Sequence, residues 1–471
     1  MTYATHSCTT SLIVPFNQLQ DGFQQERMPT LKLRQFWLDN LRKLLIDNQD
    51  AIITAINDDF GNRSADETLL AELMPSVQNI HYCKKNLKRW MKPQKRNVGL
   101  AFQPAKAKVM YQPLGVVGII VPWNYPLFLA IGPLACALAA GNRVMLKMSE
   151  YTPSFSGLFK TLIEQYFPAD LIRVETGDAN LAAEFSTLPF AHLLFTGSTA
   201  VGHHVMRAAA ENLTPVTLEL GGKSPVIIGH DMPMPEIMQR LLFGKTMNAG
   251  QTCVAPDYVL VPSSRVEEFI TQAKITFSSL FPSVTDNPDY TSIINDRHLA
   301  RLHDYLDDAT SKGAVVIPLG QNEKEDRRLP LHLILQVTDD MRVMQDEIFG
   351  PLLPILPYNS LEQALNYIQE RPKPLALYYF GYQKTQQDYV LKQTLAGGVC
   401  INDTLSHVAQ EDLPFGGVGG SGMGHYHGHE GFLTFSKAKP IFSKKRFNGA
   451  KIIYPPYGGL ILKMLYRLFI R

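Results

Sequence analysis

Cys253 stands in the run Gly250-Gln251-Thr252-Cys253, among small and polar neighbours at the end of a predicted helix. A thiol so placed can be reached and activated as a nucleophile. Taken alone, a single cysteine is more often a buried structural residue. Glu219 closes a β-branched run and precedes Leu220-Gly221-Gly222-Lys223. A carboxylate at the carboxyl end of a strand suits a general base, and partial burial raises its pKa toward working pH. The plain alternative is a carboxylate that caps the next turn. Asn124 lies in Pro122-Trp123-Asn124-Tyr125-Pro126, where two prolines stiffen the turn. Its amide can donate to a developing oxyanion, although asparagine in such a place also serves as a helix cap.

Three further motifs could hold a nucleotide. Phe195-Thr196-Gly197-Ser198-Thr199-Ala200-Val201-Gly202 leaves a predicted strand and enters a predicted helix. Gly197 admits close backbone approach, and a helix N-terminus offers free N–H groups to a pyrophosphate. The spacing is not that of the usual dinucleotide fingerprint, and an ordinary strand–helix turn would read the same way. Lys147-Met148-Ser149-Glu150 could clasp ribose hydroxyls, and Glu347-Ile348-Phe349-Gly350-Pro351 could hold a second ribose and pack a flat ring. Singly, each of the last two is better explained as surface structure. Five of these six motifs fall at or just past predicted strand ends. Together they supply a nucleophile, a base, an oxyanion donor, a phosphate cradle and ribose holders, which is the equipment for acyl chemistry with a dinucleotide.

The elements that would position them alternate regularly. Helical periodicity predicts helices over 31–59 and 72–90, and 91–108 is basic and turn-rich, an excursion from the main body. From Val116 onward, strands at 116–121, 144–148, 171–175, 193–196 and 216–219 alternate with helices at 126–140, 153–167, 180–187 and 200–212. This pattern predicts a parallel sheet with helices on both faces, which binds ligands at the carboxyl ends of its strands. A second α/β region runs from Pro225 to about Gly420, with strands near 226–229, 258–261 and 376–380. The Gly-rich run 416–424 reads as a loop.

A chain of 471 residues exceeds one ordinary core, so two or three domains are expected. The formal net charge of +2 gives no reason to expect a nucleic-acid partner. The five cysteines are widely spaced and include no Cys-x-x-Cys, which argues for a reducing compartment and against a thiolate zinc site. The short apolar run Leu12–Phe16 has no basic segment before it, which argues against a signal peptide. A cytoplasmic location is therefore expected.

On these residues the chain resembles the aldehyde dehydrogenase superfamily, over roughly Leu31–Pro440. The resemblance implies a doubly wound parallel-sheet cofactor domain (1–95 and 114–220), an α/β catalytic domain (221–420) and a small β oligomerisation arm (96–113 and 421–450). It implies Cys253 as nucleophile, Glu219 as base and Asn124 as oxyanion donor. Gly197, Ser198 and Gly202 match the phosphate turn, Lys147 and Glu150 the adenosine ribose, and Glu347 and Phe349 the nicotinamide half, with Trp123 among the cofactor contacts. The cofactor is expected to be NAD, since Glu150 would repel a 2′-phosphate, although NADP stays open. A short N-terminus, the run Cys253-Val254-Ala255-Pro256-Asp257-Tyr258 and the ending Leu413–Gly424 resemble the class-3 branch. The Tyr454-Pro455-Pro456-Tyr457 segment resembles the coniferyl aldehyde dehydrogenases. Met148 departs from the proline common in relatives. The implied reaction oxidises an aldehyde, aromatic or medium to long-chain, to its acid, and the class-3 look implies a homodimer.

Two features stand apart. The run His425-Tyr426-His427-Gly428-His429 invites a metal reading, but it falls in the stretch matched to the subunit arm, so no metal is expected. The tail 451–471 is amphipathic, with Lys463, Arg467 and Arg471 on one helical face. It would dock on the dimer near the substrate mouth or lie on an anionic membrane, and docking is the preferred reading. Two rival functions share the fold: a silent NAD-binding scaffold, which the joint presence of Cys253, Glu219 and Asn124 opposes, and a cofactor-free thiol esterase, which the intact 197–202 turn opposes.

Overall fold

The computed structural model describes residues 12–99, 102–322, 324, 326–444, 446, 451 and 453–470. Strands Val116–Ile120, Arg143–Lys147 and His192–Thr196 are buried at every position, so they fit only a sheet covered on both faces. They form the centre of a six-stranded sheet in the order Gly422–Met423, Val216–Glu219, His192–Thr196, Val116–Ile120, Arg143–Lys147, Ile172–Glu175. All pairings are parallel except the first. The register aligns Ile120 with both Lys147 and Phe195, and Thr196 with Glu219. The motifs that follow these strands therefore emerge along one edge.

Helix Phe128–Ala140 is buried over its whole length and packs against helices Leu31–Asp47 and Met74–Trp90. Its N-terminus is buried too, so its first N–H groups need an internal partner. Glu72 supplies it: Oε2 accepts from the N–H of Leu127 at 2.7 Å and of Phe128 at 3.1 Å.

A second sheet of seven strands has the order Val315–Pro318, His332–Leu335, Leu352–Tyr358, Tyr258–Pro262, Pro225–Ile228, Ala376–Phe380, Gly398–Ile401, parallel apart from its first pair. The third sheet is antiparallel: Gln94–Arg96, Lys106–Pro113, Ser436–Ser443.

Several expectations shift. The long helix over 31–59 is two helices, Leu31–Asp47 and Gln49–Phe60, broken at Asn48. A further helix, Ile13–Gln25, buries Phe16 and Leu19 and uses the apolar run Leu12–Phe16 for packing. Within the stretch 421–450 expected to be arm, Gly422–Met423 pairs with Val216–Glu219. Helix Gly428–Thr434 packs on Met74–Trp90 and Phe128–Ala140. His425–His429 thus lie on the six-stranded body, not on the arm. His427 is buried among Phe128, Phe415 and Tyr426. Among the described residues, no three His, Cys, Asp or Glu side chains converge to hold a metal ion.

Leu138 is wholly buried in the central helix. Leu138→Ala is expected to cost about 2–5 kcal/mol of stability, read as a fall in the urea midpoint of unfolding. An unchanged midpoint would contradict this packing.

Candidate active site

The nucleophile loop follows helix Met234–Thr246 through a turn in which Asn248 and Ala249 have φ of 51° and Gly250 has φ of 74°. A Cβ on Gly250 would also sit 2.5 Å from the Gly350 carbonyl oxygen, so only glycine fits. The turn is stapled by amides. Gln251 Nε2 donates to the carbonyls of Asn248 and Ser292, each at 3.0 Å, and its Oε1 accepts from Ile294 N–H at 3.0 Å. Asn248 Nδ2 donates to the carbonyls of Asn124 and Gln251 at 3.0 and 3.1 Å. The Gln and Asn of this motif therefore hold its shape and leave the chemistry to Cys253.

Asn124 arrives from the six-stranded sheet. One N–H of its side chain donates to the Gln251 carbonyl at 3.2 Å, which leaves the other for an oxyanion. Its backbone carbonyl accepts from Arg63 Nη1 at 3.0 Å. Arg63 is itself fully buried, pairs with Glu72 at 2.9 Å and stacks 4.8 Å over the Tyr125 ring. Glu72 also caps the central helix, so one buried ion pair ties that helix to the oxyanion donor. Tyr125 O–H and Thr252 Oγ1 share a hydrogen bond of 2.8 Å, which joins the two loops a second time.

Asn124 and Cys253 line a cavity of about 280 Å³ whose wall also includes Glu219, Gly221, Glu347, Phe349, Trp123, His298 and Arg301. Glu219 is 2% exposed, and neither carboxylate oxygen has a hydrogen-bond partner among the described residues. Burial pushes its carboxyl well above the usual range. Burial likewise pushes Glu347 up to about 8, helped by the nearby charge of Asp257. The Glu347 carboxylate occupies the space a Cβ on Gly221 would fill, 2.1 Å from Oε2. The Cys253 thiol is raised to about 12, by burial first and then by the charges of Glu347 and Glu219. Backbone N–H groups of Cys253 and Val254 pull the other way. At neutral pH the resting sulfur is a thiol, and a base must take its proton before it can attack.

The second sheet fixes the Glu347 loop through residues that the motif reading did not single out. Lys223 binds Asp257 and donates to the carbonyls of Val343 and Asp346 at 2.8 and 2.9 Å. Asp257 Oδ2 accepts from Ile348 N–H at 2.9 Å. Arg301 forks onto the carbonyls of Glu347, Ile348 and Phe349 at 3.3, 2.8 and 3.4 Å. Phe349, at φ 48°, turns edge-on to Trp123 with ring centres 5.4 Å apart. Lys223 had a local signal, the glycines before it. Arg63, Glu72, His298 and Arg301 had none, because helices and loops far away in sequence bring them in.

Gly197 and Ser198 line the cavity at the N-terminus of helix Thr199–Ala210, whose first turn holds no acid. A pyrophosphate can be accommodated there. Gly202 does not line the cavity. A Cβ there would meet Leu220 at 2.8 Å, so this glycine lets the helix lie close on the sheet. Lys147 and Glu150 also stand outside the cavity wall, paired with each other at 3.1 Å at the end of the neighbouring strand. Met148, where a proline was the common alternative, donates its N–H to Glu175 at 2.9 Å. Proline could not make this bond, so the substitution extends the strand beside Lys147. A helix N-terminus, an ammonium–carboxylate pair and Trp123 along one sheet edge, with Phe349 facing them from the second sheet, fit a dinucleotide's phosphate, ribose and ring.

A family model described as the aldehyde dehydrogenase family matches residues 16–441. A probable coniferyl aldehyde dehydrogenase from Pseudomonas aeruginosa is 63% identical over 462 residues, 97% of each chain. The substrate-bound state of Staphylococcus aureus AldH superposes with a TM-score of 0.93 at 37% identity, covering 98% of this chain and 100% of that one. A Mycobacterium tuberculosis aldehyde dehydrogenase complexed with NAD+ superposes with a TM-score of 0.83 at 27% identity, covering 92% and 90%.

Alkylation of Cys253, followed by peptide mass mapping, tests the electrostatics. In the protein without cofactor, the rate should climb with pH and show no plateau below about pH 10, given a thiol near 12. Above about pH 8, where Glu347 is charged, Glu347→Gln should speed the reaction at fixed pH by removing a repelling charge. A plateau at neutral pH would contradict the assignment.

Proposed function

The chain belongs to the aldehyde dehydrogenase family, and we propose that its substrate is an aromatic, cinnamyl-type aldehyde. It is an NAD(P)-dependent enzyme that oxidises an aldehyde to the carboxylic acid. NAD is the cofactor, and the carboxylate of Glu150 supports a preference for it over NADP.

We assign the steps as follows. The Cys253 thiol gives up its proton to solvent, and the sulfur adds to the aldehyde carbon. The carbonyl electrons move to oxygen, where Asn124 Nδ2 and the Cys253 N–H stabilise them. One such donor contributes about 3 kcal/mol to lowering the barrier. When bound, the nicotinamide supplies the hydride acceptor that turns the adduct on Cys253 into a thioester. Glu219 then removes a proton from water, the oxygen attacks the thioester, and the carbon–sulfur bond breaks. A base for water favours hydrolysis to the free acid over transfer to coenzyme A. A homodimer suits the arm sheet, in which Ser436–Ser443 is an outer strand.

One observation carries the aromatic reading. His427 is 1% exposed and lies among Phe128, Phe415 and Tyr426, and neither ring nitrogen has a partner among the described residues. His407, whose charge would lower the His427 pKa, is partnerless at both nitrogens as well. Burial pushes both imidazoles down to about 4, so they stay neutral and can donate or accept. Tyr426, next in sequence to His427, lies within electrostatic range of Glu219 and Cys253, behind the cavity wall. Unpaired buried polar atoms are costly, and a phenolic hydroxyl on a flat apolar ring would satisfy them. The coniferyl relative points the same way.

NADH formation at 340 nm should favour cinnamyl-type over long-chain aldehydes in kcat/KM. His427→Phe should lower kcat/KM for a 4-hydroxycinnamyl aldehyde about tenfold, the worth of one buried hydrogen bond, and spare cinnamaldehyde itself. Preference for decanal, or equal losses on both substrates, would contradict the reading.

A further inference from the structure

We propose that the C-terminal helix Leu460–Phe469 docks the enzyme on an anionic lipid surface. The helix touches its own chain on one face only: Leu462 is buried and Leu465 half-buried. Ile461, Met464 and Leu468, spaced three and four apart, form a neighbouring stripe left open at 54%, 69% and 70% exposure. Phe469 and Ile470 extend the exposed apolar surface at its end. Lys463 and Arg467 flank the stripe four residues apart, and neither forms an ion pair among the described residues. Within its own chain, the helix leaves this stripe uncovered.

Charge points to the occupant. From Gly431 to Arg471 the chain carries nine Lys and Arg and no Asp or Glu. The stretch Met91–Pro113 carries five and again no acid. The two stretches supply all three strands of the arm sheet, where Lys95, Arg96, Lys106, Lys108, Lys437 and Lys439 are exposed. A total of +2 therefore conceals a strongly basic arm and tail on an otherwise acidic chain. Clustered cations beside an apolar stripe match an interface of anionic headgroups and acyl chains. A nucleic acid would leave the stripe uncovered. The helix is about 15 Å long by its residue count, and no helix among the described residues is long and apolar enough to cross a membrane. It would lie in the interface.

Flotation of the full-length enzyme with phosphatidylcholine vesicles, with and without phosphatidylglycerol, tests this. Binding should require phosphatidylglycerol and weaken as salt rises. Lys463→Glu with Arg467→Glu, and separately Met464→Glu with Leu468→Glu, should each reduce binding about tenfold or more. Turnover of a water-soluble aldehyde should stay unchanged, which certifies that the variants fold. Failure of the wild type to float with anionic vesicles, or equal flotation of both variants, would overturn the proposal. If Met464→Glu with Leu468→Glu instead shifts the sedimentation coefficient to a smaller species, the stripe covers a second copy of the chain, and the proposal fails.

Discussion

A carboxyl group buried without a hydrogen-bond partner, facing a thiol in the same small cavity, is the constraint around which this structure is arranged. Glu219 cannot ionise there cheaply, and neither can Cys253 while Glu219 or Glu347 is charged. Burial keeps the two carboxyls protonated, and burial together with any charge on them keeps the thiol protonated. Such a site is poor at rest, and a carboxylate ionised there is a strong base because burial favours its protonated form. Holding it closed demands rigidity elsewhere, and most of the polar bonds around the cavity are bonds of support.

That support comes from two sheets at once. The six-stranded sheet delivers Glu219 and Asn124 at its carboxyl edge, and the seven-stranded sheet delivers Glu347 through Lys223, Asp257 and Arg301. Cys253 sits on the loop between them. The join is made by Asn248, which donates to the carbonyls of Asn124 and Gln251, and by Asn124 Nδ2 on the Gln251 carbonyl, while Arg63 holds the Asn124 carbonyl from behind. Breaking one partner of the buried Arg63–Glu72 pair would leave the other charge unsatisfied, at a cost of about 3–5 kcal/mol. Asn124 is thus only as well placed as an ion pair formed by residues far from it in sequence.

The sequence carried the chemistry better than its scaffolding. Cys253 was legible from its small, polar neighbours at a helix end. Glu219 and Asn124 were legible because each closes or follows a β-branched run, and strand–helix alternation ordered those runs into one sheet. Gly197 and Ser198 were legible for the same reason. Gly202 matched a motif but serves helix packing, which spacing alone cannot distinguish from ligand contact. Arg63 and Glu72 were illegible, since nothing local marks a charged residue that will be buried against a partner from another element. Four strands of the second sheet escaped notice because their short apolar runs lie among helices of similar composition. The basic arm was hidden by the net charge, a sum in which the acidic remainder cancels it.

The role of Glu219 is best tested by rapid mixing of Glu219→Gln with NAD+ and a cinnamyl-type aldehyde. A base that serves the hydrolytic step leaves a distinct trace when removed. NADH should form in a burst of about one equivalent per site while steady turnover falls about 10²-fold or more. Intact mass should then show an acyl group on Cys253. Turnover equal to wild type, or loss of the burst with no adduct on Cys253, would contradict the assignment of Glu219 as the base that releases the acid.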